Sequence, residues 1–66
     1  MPIVEITLIE GRTHAQKEKL AARVTEAVIE SVGAPPESVR VILREIPGYH
    51  FAIGGVLKGK PEPHTS

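Results

Sequence analysis

Pro2, together with the chain's arginines, has chemistry to offer at a reactive centre. Pro2 follows Met1 directly, and a small penultimate residue such as proline normally permits removal of the initiator methionine. The proline nitrogen then stops being an amide and becomes a secondary amine, a base that no internal proline supplies. An ordinary α-amino group titrates at about 7.7–8.0, and a secondary amine is intrinsically somewhat more basic. Removal from water, or cations close by, favours its neutral form. Two nearby guanidiniums in an apolar pocket would supply both the cations and a bidentate grip on a carboxylate. Such a pocket holds an anionic substrate within reach of a general base that is unprotonated near neutral pH.

The elements that must position these groups can be read from the hydrophobic pattern. Residues 2–9, PIVEITLI, alternate as a strand, with Val4, Ile6 and Leu8 on a wholly apolar side and Ile3, Glu5, Thr7 and Ile9 on a mixed one. The proline suits the first strand position, where a missing N–H does little harm. Thr13 with Gln16 three places on forms a capping box and opens a helix expected over 14–32. Leu20, Val24, Ala27, Val28 and Val32 give it one apolar stripe. Gly33 suits the helix end, and Pro35-Pro36 forbids continuation. Residues 39–45, VRVILRE, alternate as a second strand, with Val39, Val41 and Leu43 on one side and Arg40, Ile42 and Arg44 on the other. Pro47-Gly48 turns the chain, and Phe51 to Leu57, with Gly54-Gly55 inside, predicts a short hairpin or irregular ribbon. Residues 1–58 are thus expected to form one domain, and residues 59–66 a polar, proline-containing, flexible tail.

Strand, helix, strand makes an α/β (α+β) chain built on one β-α-β unit, whose strands are normally parallel and whose crossover is right-handed. One helix covers one face of the sheet, whereas parallel sheets normally have both faces covered. The open face would carry Ile3, Ile9 and Ile42 beside Arg40 and Arg44. A second subunit is expected to cover it. Size points the same way: a chain of 66 residues falls below the ~70–80 at which a single core usually suffices, and such chains rely on disulfides, a metal or oligomerisation. The chain has no cysteine and no aspartate, and His14, His50 and His64 lack metal-ligand spacing. Oligomerisation remains.

Composition narrows the function classes. Eight Lys+Arg balance eight Glu, without the basic excess of a nucleic-acid binder. The lone Tyr49 and Phe51 make no stacking platform. No apolar run approaches the ~20 residues of a membrane span, and the N-terminus has no signal segment. A cytoplasmic protein with neither nucleic-acid nor membrane partners is expected. Several residues have bland readings: Glu10 as a salt-bridged or solvated loop carboxylate, His14 and His50 as surface residues, and Gly54-Gly55 as a backbone requirement.

Four stretches in this order and spacing, PIVEITLIEGRT, QKEKLAARVTEAV, SVRVILRE and HFAIGG, resemble the 4-oxalocrotonate tautomerases, small enzymes of the tautomerase superfamily. The similarity covers about residues 2–57. It implies a β-α-β subunit with a C-terminal hairpin, assembled as a homohexamer described as a trimer of dimers. It implies Pro2, after loss of Met1, as the base that moves a proton between positions of an unsaturated keto or enol acid. Arg12 matches the arginine that binds the distal carboxylate. Arg40 matches the one that holds the 2-oxo or 2-hydroxy carboxylate end, typically from a neighbouring subunit. Phe51 matches the aromatic wall that keeps the pocket apolar, and Ile9 and Ser38 match lesser pocket positions. No cofactor is implied, which suits a chain with no metal or nucleotide motif. The sequence departs from close relatives in its KPEPHTS tail, where they carry a short basic segment.

Two other readings compete with an isomerase. A hydratase or dehalogenase of short unsaturated acids needs a carboxylate to activate water, and none lies between Glu45 and Glu62; Glu10 is the residual candidate. A non-catalytic subunit of a hetero-oligomer follows if Met1 persists, because Pro2 then carries an amide.

Overall fold

A computed structural model describes residues 1–59; the tail expected over 59–66 lies outside the described residues except for Gly59. The chain forms strand β1 (Ile3–Ile9), helix α1 (His14–Val32), strand β2 (Arg40–Ile46) and two short strands, β3 (Ala52–Ile53) and β4 (Val56–Leu57). Turns of 3-10 helix at Pro36–Ser38 and Gly48–His50 lead into β2 and the hairpin. β1 and β2 pair in parallel from Ile3 against Arg40 to Ile9 against Ile46, and β3 and β4 pair antiparallel as a separate ribbon. The expected β-α-β unit and hairpin are both present. Both long strands begin one residue later than the alternation suggests, because Pro2 and Val39 belong to the approaches: Pro2 lends β2 only its carbonyl, which accepts the Arg40 N–H at 2.9 Å, and the Val39 N–H closes the 3-10 turn on the Pro36 carbonyl.

The helix begins and ends where its sequence directs. Thr13 Oγ1 accepts the Gln16 N–H at 3.1 Å, and Gln16 Oε1 accepts the Thr13 N–H at 2.9 Å. This reciprocal box satisfies donors that the first turn would otherwise leave unmade. At the other end Gly33 adopts φ 72° and its N–H reaches the Ile29 carbonyl at 3.0 Å, a left-handed conformation that costs glycine least. The side turned to the sheet comprises Lys17, Leu20, Ala21, Val24, Thr25, Val28 and Ile29, all half-buried. Ala27 and Val32, expected on that stripe, are exposed. Ala27 lies at the margin of that side, seven residues after Leu20, and Val32 occupies the last helical residue.

The strand alternation divides the sheet as expected. Val4, Ile6, Leu8, Val41 and Leu43 lie under the helix and are half-buried, whereas Ile3, Glu5, Thr7, Ile9, Arg40, Ile42 and Arg44 are exposed on the other face. No described residue is fully buried. A folded domain with apolar side chains half-covered throughout has the anatomy of a piece whose core is completed elsewhere. On the open face Ile3 is 60% exposed, Ile42 43% and Ile9 41%, and on the ribbon Val56 is 62% exposed and Ile53 56%. Among the described residues no helix is long and apolar enough to cross a membrane.

Candidate active site

Parallel pairing gives the sheet two chemically distinct ends. At the end where both strands start, Pro2 and Arg40 are joined by the hydrogen bond from the Arg40 N–H to the Pro2 carbonyl. Pro2 is half-buried, so the residue expected to bear the base is anchored to the sheet. The Arg40 side chain leaves on the open face, and its Nη1 donates to the Glu37 carbonyl at 2.6 Å. Ser38 sits in the adjoining 3-10 turn, where its hydroxyl donates to the Pro35 carbonyl at 2.8 Å. That bond stiffens the turn leading into Arg40.

At the opposite end lie Ile9, Arg12 and Phe51. Gly11, at φ 125°, lets the chain bend between strand and helix, a backbone conformation that side chains other than glycine's resist. Arg12 then stands directly before the helix cap. Its side chain lines an open groove of about 310 Å³ with Leu8, Gln16, Lys17 and Leu20. Lys17 Nζ in turn pairs with Glu45 Oε1 at 3.0 Å and ties the first helical turns to the end of β2. Phe51 follows the 3-10 turn after β2. Its N–H donates to the Gly48 carbonyl at 3.1 Å, and its carbonyl accepts the Lys58 N–H at 2.8 Å, which closes the mouth of the ribbon. The phenyl side chain remains 41% exposed. Gly54 and Gly55, at φ 60° and 85°, make the two-residue turn between β3 and β4, with the positive φ values that a type I′ hairpin demands.

The six residues singled out from the sequence therefore fall into two clusters. Pro2, Ser38 and Arg40 lie at one end; Ile9, Arg12 and Phe51 lie at the other. About 20 Å of strand separates them, at roughly 3.3 Å per residue. One chain does not bring a base and both arginines to one small substrate. Each end offers one of the two guanidiniums.

The structure brings further residues to the two ends and the open face. Gln16 and Lys17 line the Arg12 groove, and their place in the first two helical turns, just after the cap, was the available signal. Glu5 Oε1 meets Arg44 Nη2 at 3.2 Å across the open sheet face. Even spacing on both strands put the two on one face, but their pairing needed the register. Glu10 continues the ladder with its N–H on the Ile46 carbonyl at 2.9 Å. His14 lies 3.7 Å from Glu18 and is exposed, and His50 is exposed beside Tyr49, ring edge to face. Among the described residues no cluster of His, Cys, Asp or Glu has the arrangement of a metal site.

Comparison with known proteins adds a second line of evidence. A family profile described as "Tautomerase enzyme" matches residues 2–60. A 2-hydroxymuconate tautomerase of Pseudomonas sp. (strain CF600) is 53% identical over 55 residues, covering 83% of this chain and 87% of that protein. A 2-hydroxymuconate tautomerase of Pseudomonas putida is 50% identical over 60 residues, covering 91% and 95%. Among solved structures, a heterohexamer 4-oxalocrotonate tautomerase from Chloroflexus aurantiacus superposes with a TM-score of 0.85 at 34% identity, over 88% of this chain and 94% of that one.

Proposed function

Because this chain belongs to the tautomerase family, an enzyme family of isomerases, we propose that it ketonises 2-hydroxydienoates such as 2-hydroxymuconate, with Pro2 as the general base. The reaction is cofactor-independent. In this reading Met1 is removed, the freed secondary amine takes the hydroxyl proton of the dienol, and negative charge spreads from that oxygen along the conjugated carbons. The protonated amine returns a proton to carbon, which leaves the conjugated 2-oxo acid and restores the neutral base. No atoms or electrons are gained or lost.

Arg40, supplied by a neighbouring subunit as the resemblance implies, holds the carboxylate beside the reacting oxygen, and Arg12, also from another copy, holds the distal carboxylate and draws charge towards it. Guanidiniums aimed where charge develops stabilise the transition state more than the ground state. Phe51, with Ile9, excludes water so that the amine stays neutral, and Ser38 stiffens the turn that aims Arg40. The active unit is a homohexamer in the cytoplasm. The observation that carries this reading is the 2.9 Å bond from the Arg40 N–H to the Pro2 carbonyl. It holds a residue at the chain's start beside an arginine-bearing strand, where a frayed terminus would leave the base at random. Identity at about half of the aligned residues with named 2-hydroxymuconate tautomerases supports the substrate class.

Intact-mass measurement combined with turnover tests the reading. The expected result is a mass lacking one methionine, with ketonisation of 2-hydroxymuconate that falls as pH drops and the amine becomes protonated. Full-length mass with undiminished turnover would remove Pro2 from the mechanism. Chloride release from 3-chloroacrylate at rates rivalling ketonisation would move the chain to dehalogenation.

A further inference from the structure

Helix α1 and strand β2 each carry a charge where their pattern calls for an apolar residue. Lys17 opens the half-buried stripe that runs on through Leu20, Val24 and Val28, and Glu45 follows Val41 and Leu43 on the helix side of β2. The two meet at 3.0 Å, with side chains 28% and 33% exposed. The other ion pairs among the described residues, His14–Glu18 and Glu5–Arg44, leave more than half of every side chain exposed. Bringing charges to so covered a place gains little stability, because well-packed apolar residues serve as well or better. What the pair supplies is direction. We infer that Lys17 and Glu45 are positioning residues for Arg12: their pairing fixes the segment that carries its guanidinium, and so sets how well the chain distinguishes a distal carboxylate. The inference rests on the role given to Arg12 in the preceding reading and adds what aims it.

Residues 10–17 are held at both ends by neighbouring residues of β2. The Glu10 N–H donates to the Ile46 carbonyl at 2.9 Å, and Lys17 Nζ reaches Glu45 Oε1. Arg12 lies between these anchors, and among the described residues neither a hydrogen bond nor an ion pair engages its own side chain. Its place therefore depends on the segment. Gly11, at φ 125°, gives that segment a pivot beside its first anchor, so the second anchor decides where it rests. The Lys17 N–H also bonds the Thr13 carbonyl at 3.1 Å, and a fixed Lys17 thus fixes the residue next to Arg12. Lys17 and Arg12 line the same groove with Leu8, the register partner of Glu45. With the ammonium neutralised by Glu45, Arg12 is the one unpaired cation among the lining residues, and a carboxylate arriving there meets a single planar fork.

Steady-state kinetics with two enol acids test this: 2-hydroxymuconate, which has a distal carboxylate, and phenylenolpyruvate, which has none. Glu45→Gln and Lys17→Met are each expected to raise KM for 2-hydroxymuconate about two- to fivefold, the range of a partly exposed ion pair, with kcat and the KM for phenylenolpyruvate unchanged. Lys17→Arg, and the exchanged pair Lys17→Glu with Glu45→Lys, restore the contact and are expected to return KM towards the wild-type value. The apolar pair, Lys17→Met with Glu45→Leu, separates aim from stability. Its denaturation midpoint is expected at or above that of the wild type, while KM for 2-hydroxymuconate stays raised; it decides the matter if a single variant fails to fold. An equal rise in KM for both substrates, or a wild-type KM in the apolar pair, would overturn the positioning role. So would a matching rise in Glu18→Gln, which breaks the exposed pair with His14 on the same turn. A wild type that does not turn over 2-hydroxymuconate would sink the functional reading itself, whereas an active wild type with unaltered KM in the variants would sink only the aiming of Arg12.

Discussion

The two ends of the parallel strand pair are built to different standards. Where the strands begin, the chain itself fixes its candidate site residues: the Arg40 N–H is on the Pro2 carbonyl, Arg40 Nη1 is on the Glu37 carbonyl, and the Ser38 hydroxyl is on the Pro35 carbonyl. Where the strands finish, the backbone is equally well held by the helix cap and the 3-10 turn, yet Ile9 and Phe51 each leave 41% of their surface uncovered. Among the described residues neither a hydrogen bond nor an ion pair engages the Arg12 side chain. At one end a candidate side chain is tied down by hydrogen bonds within the chain; at the other only the backbone is.

The sharpest way to break that contrast is to alter the proposed base. Pro2→Ala leaves a primary amine with a different basicity and shape, while the carbonyl that accepts from Arg40 survives. Turnover of 2-hydroxymuconate should fall about a hundredfold or more, within the 10²–10⁴ typical of positioned general bases, with assembly unchanged by native mass spectrometry. Wild-type rates would remove the first end from the chemistry. Next in size is the far end. Arg12→Ala should cost about 10- to 100-fold in kcat/KM for a dicarboxylate, the equivalent of roughly 1.5–3 kcal/mol for hydrogen bonds to a charged group, and should spare a substrate lacking the distal carboxylate. The two variants mixed before reassembly should regain activity, since some pockets then combine an intact Pro2 from one copy with an intact Arg12 from another. Failure to complement would mean that both residues serve a pocket within one chain, against the 20 Å of strand between them.

Much of this arrangement could be read from residue order alone. The Thr13–Gln16 box, Gly33 and the prolines at 35–36 bounded the helix at 14–32 as found, because caps act locally and carry their own hydrogen bonds. Alternation divided the two faces of β1 and β2 correctly, since a period of two leaves no freedom once one face is covered. What escaped were relations between distant segments. The Glu5–Arg44 and Lys17–Glu45 pairs depend on register and on where the helix lies over the sheet. The splitting of the six site residues into two clusters required the parallel topology to be combined with strand length. The family likeness supplied those six positions as a set, and the set does not converge within one chain.

A smaller effect is expected where the turn after β2 is packed by backbone. A Cβ on Gly59 would lie 2.8 Å from the Gly48 carbonyl carbon and 2.9 Å from the Tyr49 nitrogen. Those are backbone atoms of the turn that presents Phe51, and they cannot rotate away. Gly59→Ala should destabilise by about 1–3 kcal/mol, as overpacking does, read as a lower denaturation midpoint. Its effect on turnover should follow that of Phe51→Ala rather than that of Ser38→Ala, because the displaced turn belongs to the far end.

The smallest change that still separates the ends is at the helix cap. Thr13→Ala removes the oxygen that accepts the Gln16 N–H at 3.1 Å but leaves the bond from the Thr13 N–H to Gln16 Oε1 at 2.9 Å. Loss of such a cap costs about 1 kcal/mol, and Thr13→Ser should recover most of it. Arg12 precedes the cap by one residue, so a loosened first turn should blur where its guanidinium sits. Pro2, about 20 Å of strand away, should be unaffected. KM for a dicarboxylate should therefore rise, by less than about tenfold, the equivalent of 1.4 kcal/mol, while kcat and the acidic limb of its pH profile stay where they were. A shifted acidic limb would show that the cap reaches the base. The two ends would then be coupled through the helix rather than joined only where copies meet.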